Sequence, residues 1–307
     1  MDTSGRGEFA AIARAAASLP GPPAGELWIG DDTAVLHSSP GPLLFAIDAV
    51  VAGVHADLDL VGLDDLGWKA MAVNVSDVAA MGGDPRAAVV SVSGPPDTDL
   101  DLLYQGIAAA ADYWTCPVVG GDLTTGAALV VTVAIVGSSG SEERPVVPRS
   151  GACRGDSVFL TGPLGASAAG LRCLRNGERS GVLVDAYRRP LARVEEGRAA
   201  RHAGATAMID VSDGFAADVT HILDASGVGA RLHELPVATG ATVAEAATGG
   251  EDYELVFTAQ DPERVRTEFA AAGLRPPVEV GLCTAEAGVV TLDDAPLPPG
   301  SWEHPWT

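Results

Sequence analysis

The chain has almost no lysine. Of its 19 basic residues only Lys69 is a lysine, and the rest are arginines. A P-loop needs a glycine-rich stretch ending in Lys-Ser or Lys-Thr, and none is present. The lysine and catalytic-loop signatures of protein kinases are also missing. Any phosphate handled here must be met by arginine, backbone N–H groups or metal ions. Cysteine is scarce: Cys116, Cys153, Cys173 and Cys283 are widely spaced and form no C-x-x-C pair, so neither a zinc site nor a redox motif is indicated. A reduced, cytoplasmic setting is the expectation. No charged-then-apolar leader is visible, so no secretory signal is expected. No apolar run approaches the ~18 residues of a membrane span. Positive charge is outnumbered: 41 acidic residues give a net charge of −22, which argues against nucleic acid or an anionic membrane as partner.

With 307 residues the chain suits two domains. Helix-like and strand-like segments alternate. "LLFAIDAVV" (43–51) reads as a buried strand. "LDDLGWKAMAVNVSDVAAMG" (63–82) reads as a helix with acids in its first turn and a terminal glycine. A strand at 87–94, a helix at 99–114 and two strands around a Gly-Gly-Asp turn (120–122) complete a first unit. "GSSGSEERP" is the linker candidate, which sets the domains at 1–140 and 141–307. The second unit opens with a strand, the turn "TGPLG" and a helix. That turn reads as a phosphate cradle or as a plain strand-to-helix connection. In "AMIDVSDGFAADVTHILDASG" a strand runs into a helix with Phe215, Val219, Ile222 and Leu223 on one stripe. "EDYELVFTA" reads as a strand, and "DPERVRTEFAAAG" as a helix behind a capping Asp. The fold class expected is α/β of the α+β type, with mixed sheets flanked by helices.

What the chain has is acid inside apolar, small-residue segments. "VNVSD" and "IDVSDG" share a Val-Ser-Asp core, one in each half, and place Asn74, Asp77, Asp210 and Asp213 there. Asp31 and Asp32 lie in "IGDDTAV", Asp48 and His55 in "FAIDAVVAGVH", Asp122 after two glycines, and Glu251 and Asp252 in "GGEDYEL". Unpaired buried charge is costly. Carboxylates gathered in one place repel unless cations lie between them. Mg²⁺ takes oxygen ligands and commonly joins carboxylates to substrate phosphates. The pattern argues for a multi-metal polyphosphate site, against a bland reading of ordinary caps and turns.

"GDDTAVL", "VAGVH", "KAMAVNVSDVAAMGGDP", "GGDLTTG", "GASAAGL", "RRPLARVEEG", "IDVSDGFAADV" and "GGEDYELVFT" occur in an order that resembles the thiamine-monophosphate kinases. These belong to the P-loop-free superfamily of aminoimidazole ribonucleotide synthetase and selenophosphate synthetase. The likeness runs from Gly7 to the C-terminal "SWEHPW". It implies a two-domain fold like that synthetase, a homodimer built through the N-terminal domains, and ATP held largely through Mg²⁺. It further implies transfer of the ATP γ-phosphoryl group to thiamine monophosphate, giving thiamine diphosphate and ADP. Matched motif by motif, the metal ligands would be Asp32, Asp48, Asp77, Asp122, Asp210 and Asp213. Gly121, Asp122, Arg149, Ser212 and Tyr104 would contact ATP, while His55, Glu251 and Trp302 would face thiamine monophosphate. No catalytic base or nucleophile is implied, because the acceptor phosphate is already anionic. The chain departs from the family at Ala46 and Ile47, where hydroxyl residues usually precede the aspartate matching Asp48. Two rival readings are another phosphotransferase or synthetase of the superfamily, and a nucleotide-binding relative without turnover.

Overall fold

A computed structural model describes residues 8–29, 33–39, 41–140 and 146–299. The chain divides into two compact units. The first comprises Met1–Val75 and Pro85–Gly140; the second comprises Ser76–Asp84 and Ser141–Thr307. The linear order of the sequence does not reveal that Ser76–Asp84, which lies inside the N-terminal half, belongs to the second unit. Backbone explains part of it: Val147 donates its N–H to the Met81 carbonyl at 3.1 Å. Gly197 comes so close to this segment that a Cβ would lie 2.2 Å from the Ala79 oxygen.

The first unit is ordered α1 (Glu8–Ala17), β1 (Leu43–Val51), α2 (Leu63–Ala80), β2 (Asp84–Gly94), α3 (Leu100–Tyr113), β3 (Val118–Thr125) and β4 (Val130–Ser138). Its sheet runs β1-β4-β2-β3, with β1 and β4 antiparallel and β2 and β3 parallel. Period-two alternation sends Val131, Val133 and Ile135 of β4 inward, each fully buried. β1 is not the buried strand its composition suggested. It is an edge strand, and Leu43, Phe45 and Ile47 are 68%, 74% and 61% exposed. Helices α2 and α3 cross closely because both carry glycine at the contact. A Cβ on Gly67 would lie 2.2 Å from the Leu103 oxygen, and one on Gly106 would lie 1.8 Å from the Asp64 oxygen.

A second correction concerns Gly120–Asp122. These residues form no turn but lie inside β3, paired with Val89–Ser91 of β2. The glycine is needed for close approach rather than for bending: a Cβ on Gly121 would lie 2.0 Å from the Val90 oxygen.

The second unit is ordered β5 (Ser157–Leu160), α4 (Ala166–Arg175), α5 (Val182–Arg188), α6 (Val194–Ala203), β6 (Ala207–Asp210), α7 (Phe215–Ser226), β7 (Gly229–Leu232), α8 (Val243–Thr248), β8 (Leu255–Ala259), α9 (Pro262–Ala271), β9 (Val278–Thr284), β10 (Val290–Leu292) and β11 (Ala295–Pro296). Its mixed sheet runs β11-β10-β7-β9-β5-β8-β6. β5, β6 and β8 are buried on both faces, so alternate residues feed two cores. Val158, Leu160, Ile209 and Val256 share one core with Phe215, Val219, Ile222 and Leu223 of α7. Phe159, Met208 and Phe257 share the other with Ala200 of α6 and Val265 and Phe269 of α9. Phe257 stacks on Phe159 and Phe269, with ring centroids 5.2 and 6.0 Å away. "EDYELVFTA" is strand only from Leu255. The residues before it form an irregular strap, in which Glu251 and Tyr253 take positive φ of 66° and 51°.

Candidate active site

Asp48 of the first unit is held through α2. Asn74 is fully buried. Its carboxamide oxygen accepts the N–H of Asp48 at 2.9 Å, and its amide donates to the Ala70 carbonyl at 3.0 Å. β1 is an edge strand, so this N–H needs an acceptor outside the strand ladder, and the helix supplies one. Asp48 and Asp122 are exposed. His55 follows β1, and its Nδ1 accepts the Val51 N–H at 2.9 Å, which places the proton of the neutral ring on Nε2. Tyr104 lines a cavity of about 350 Å³ with Arg14, Ser18, Asp101 and Gln105. Burial pushes its phenol up to about 12.

In the second unit, the Ser76 hydroxyl donates to Asp210 Oδ2 at 2.6 Å, across 134 residues of sequence. Both groups are buried, so the short bond satisfies a carboxylate oxygen that water cannot reach. Asp210 ends β6, and the turn Ser212–Gly214 follows it before α7. Asp218, on the first turn of α7 and buried, accepts the N–H groups of Ser212, Asp213 and Gly214, all on Oδ2 at 3.1 Å. Burial first, and then the charges of Asp210 and Asp213, push its carboxyl up to about 8. The field here is that of crowded carboxylates, which a cation relieves.

The strap 249–254 lies along this turn. Glu251 donates its N–H to the Ser212 carbonyl at 2.8 Å, and Tyr253 to the Val211 carbonyl at 2.9 Å. Glu254 is anchored by the Thr161 hydroxyl and by Arg193, each at 2.6 Å. Asp252 caps α4, accepting the N–H of Gly165 at 2.6 Å and of Ser167 at 3.1 Å. This decides the reading of "TGPLG". The helix N-terminus that could have cradled a phosphate carries the protein's own carboxylate, so the segment is a strand-to-helix turn. Arg149 is exposed, in the segment leading to β5. Asp31, Asp32 and Trp302 lie outside the described residues.

Asn74, Ser76, Asp218 and Asp252 are the residues that sequence reasoning did not assign to a role. Asn74 directly precedes the Val-Ser-Asp core and Ser76 is its serine, which was the available signal. Among the described residues, no three His, Cys, Asp or Glu side chains are grouped closely enough to hold a metal ion by themselves. An oxygen-rich donor set of one or two carboxylates still suits Mg²⁺, which completes its shell with water and phosphate oxygens.

Two family models match the chain: the AIR synthase related protein N-terminal domain over residues 30–139, and its C-terminal domain over residues 154–293. The thiamine-monophosphate kinase of Aquifex aeolicus (strain VF5) is 33% identical over 296 residues, covering 90% of this chain and 92% of that protein. This chain belongs to the thiamine-monophosphate kinase family. The kinase of Salmonella typhimurium is 37% identical over 273 residues, covering 82% of each chain. Solved structures of the family agree with the two-domain, mixed-sheet architecture. The thiamine-monophosphate kinase from Stenotrophomonas maltophilia K279a is 31% identical and covers 93% of this chain and 95% of its own, with a TM-score of 0.80. AaThiL complexed with AMPPCP and TMP is 33% identical and covers 99% of both chains, with a TM-score of 0.78.

Proposed function

We propose that the chain transfers the γ-phosphoryl group of ATP to thiamine monophosphate, giving thiamine diphosphate and ADP. One observation carries this reading: the solved relative that holds AMPPCP and TMP matches this chain from end to end. In this reading Asp32, Asp48, Asp77, Asp122, Asp210 and Asp213 hold Mg²⁺. When bound there, the ion neutralises phosphate charge as the phosphoryl group moves. The protein's own part is positioning. Asn74 and Ser76 set Asp48 and Asp210 at fixed places, so less ordering remains for the moment of binding. Gly121 and Ser212 approach the nucleotide, Arg149 supplies fixed positive charge for a phosphate, and Tyr104 offers its cavity wall to the base. His55, Glu251 and Trp302 face thiamine monophosphate. The acceptor oxygen already carries charge, so transfer is direct and leaves no phosphoenzyme.

The N-terminal domain (1–140) binds nucleotide and forms a homodimer, and the C-terminal domain (141–307) completes the nucleotide and substrate contacts. The uncovered face of β1 supports the dimer: Phe45 and Ile47, paired with Val136 and Ala134 of β4, lie with Leu43 on a surface costly to leave in water. The four free thiols suit a reducing cytoplasm, and no helix among the described residues is long and apolar enough to cross a membrane. Incubation with ATP, Mg²⁺ and thiamine monophosphate should yield thiamine diphosphate. ATP consumption on another acceptor, with none on thiamine monophosphate, would move the protein to a different activity in the superfamily.

A further inference from the structure

The turn after β6 is held from both sides by groups that the phosphoryl-transfer reading does not use. Its three successive N–H groups, from Ser212, Asp213 and Gly214, converge on one atom, Asp218 Oδ2. Such a nest of N–H groups ordinarily attracts an external anion. Here the Asp218 carboxyl on α7 takes that place from within the chain. On the other side, the Ser212 carbonyl is taken by the Glu251 N–H, and the Val211 carbonyl by the Tyr253 N–H. Gly214 fixes the exit of the turn at φ +116°, where a Cβ would lie 2.9 Å from the Thr248 backbone. Gly250 leaves the strap flush against the turn, since a Cβ there would lie 2.5 Å from the Ser212 oxygen. The backbone that carries Ser212 and Asp213 therefore has a partner on each side, and one side chain supplies all of the acceptors for its N–H groups.

We propose that Asp218 is a positioning residue, whose single oxygen fixes the Ser212–Gly214 turn in the conformation that presents Ser212 and Asp213 to the nucleotide and its metal. The proposal rests on the kinase reading for what the turn presents, but not for the anchoring itself. A plain alternative exists: an acid in the first turn of a helix stabilises that helix through its dipole. The two differ in what loosens when the carboxylate is lost. Dipole support alone would weaken α7 along its first turn. Anchoring would free the turn before α7 while Phe215, Val219, Ile222 and Leu223 keep the helix in the core.

Amide hydrogen exchange on the unliganded protein separates them, and it needs no activity. In Asp218→Ala, exchange at Ser212, Asp213 and Gly214 should accelerate by about tenfold or more, as expected when the acceptor shared by their three hydrogen bonds is removed. The amides of Val219–Ser226 should keep their rates. Asp218→Asn retains an acceptor oxygen at the same place and should restore most of the protection. In the kinase assay, Asp218→Ala should need about tenfold more Mg²⁺ for half-maximal rate, because binding must then order the turn. Excess Mg²⁺ should recover part of that rate, which a purely structural lesion would not show. Unchanged exchange at the three amides, or a folded Asp218→Ala protein with the wild-type Mg²⁺ requirement, would overturn the proposal. Failure of the wild-type protein to phosphorylate thiamine monophosphate would instead overturn the kinase reading and leave the exchange result to decide the anchoring.

Discussion

Asn74→Asp changes one atom in a fully buried side chain and reverses its chemistry. The native carboxamide uses both ends: it accepts from Asp48 N–H at 2.9 Å and donates to the Ala70 carbonyl at 3.0 Å. An ionised aspartate keeps the first bond and sets an anionic oxygen against the second. A protonated aspartate reproduces both, with its hydroxyl donating to Ala70. The folded state therefore favours the neutral acid and raises its pKa. Burial of this kind shifts a carboxyl by about 2–3 units, and each unit is ~1.4 kcal/mol, so the variant loses about 3–4 kcal/mol once the group must ionise. The sign follows from linkage. Below the unfolded pKa of about 3.9 both states are protonated and the deficit vanishes. As pH rises the unfolded chain ionises first, and the deficit grows until the folded pKa is passed. At roughly 3 °C per kcal/mol, the melting temperature should fall by roughly 10 °C at pH 8. The gap to wild type should shrink by more than half at pH 5, as the linkage integral requires. Thermal melts of both proteins at the two pH values, with a chelator present, measure this. A deficit that does not change with pH, or no deficit at pH 8, would show that the carboxamide does not make both bonds, the one to Asp48 of β1 and the one to Ala70 within α2.

Other substitutions test separate parts of the structure. On the reading that both hold Mg²⁺, Asp77→Asn and Asp213→Asn should each lower kcat by about 100-fold or more while melting temperatures stay within a few degrees, since no core is disturbed; near-normal turnover at limiting Mg²⁺ would remove either residue from the proposed ligand set. Gly106→Ala should destabilise by roughly 2–3 kcal/mol in urea titration, although alanine in an open helix position is better than glycine by about 1 kcal/mol, because its Cβ would sit 1.8 Å from the Asp64 oxygen. An unchanged midpoint would mean that α2 and α3 do not touch there. Asp252 has its carboxyl pushed up to about 6, chiefly by burial, from an ordinary 3.8. Its raised value removes stability as pH climbs from about 4 to about 6, by about 3 kcal/mol at ~1.4 per unit. Asp252→Asn should therefore gain on wild type across that window, and parallel stability curves for the two proteins would contradict the shift.

Much of this fold is legible from local pattern. The α7 stripe Phe215, Val219, Ile222 and Leu223 enters the core that its spacing implies, and Asp261 caps α9 through the Arg264 N–H at 3.0 Å as a capping Asp should. These are short-range matters: a helix face repeats every 3.6 residues, and a cap meets its amide three residues on. The ordered motifs also sufficed to bring the family into view. What failed was reading a local signal that had a distant cause. Gly120-Gly121-Asp122 resembles a turn, yet Gly121 is small because the Val90 oxygen of another strand lies where its Cβ would be. Leu43, Phe45 and Ile47 look like core, yet β1 stands at a sheet edge with one face uncovered.

The sequence by itself determined the chemical inventory: oxygen donors, arginine in place of lysine, and two Val-Ser-Asp elements set in apolar segments. Only the tertiary structure decided how those groups are held. Ser76 meets Asp210 across 134 residues, Asp252 reaches 87 residues back to Gly165, and the segment Ser76–Asp84 joins the unit formed by the rest of the chain's C-terminal half. The physical reason is that hydrogen bonds act within about 3 Å, and no local periodicity records which distant residue the folded chain will bring to that distance.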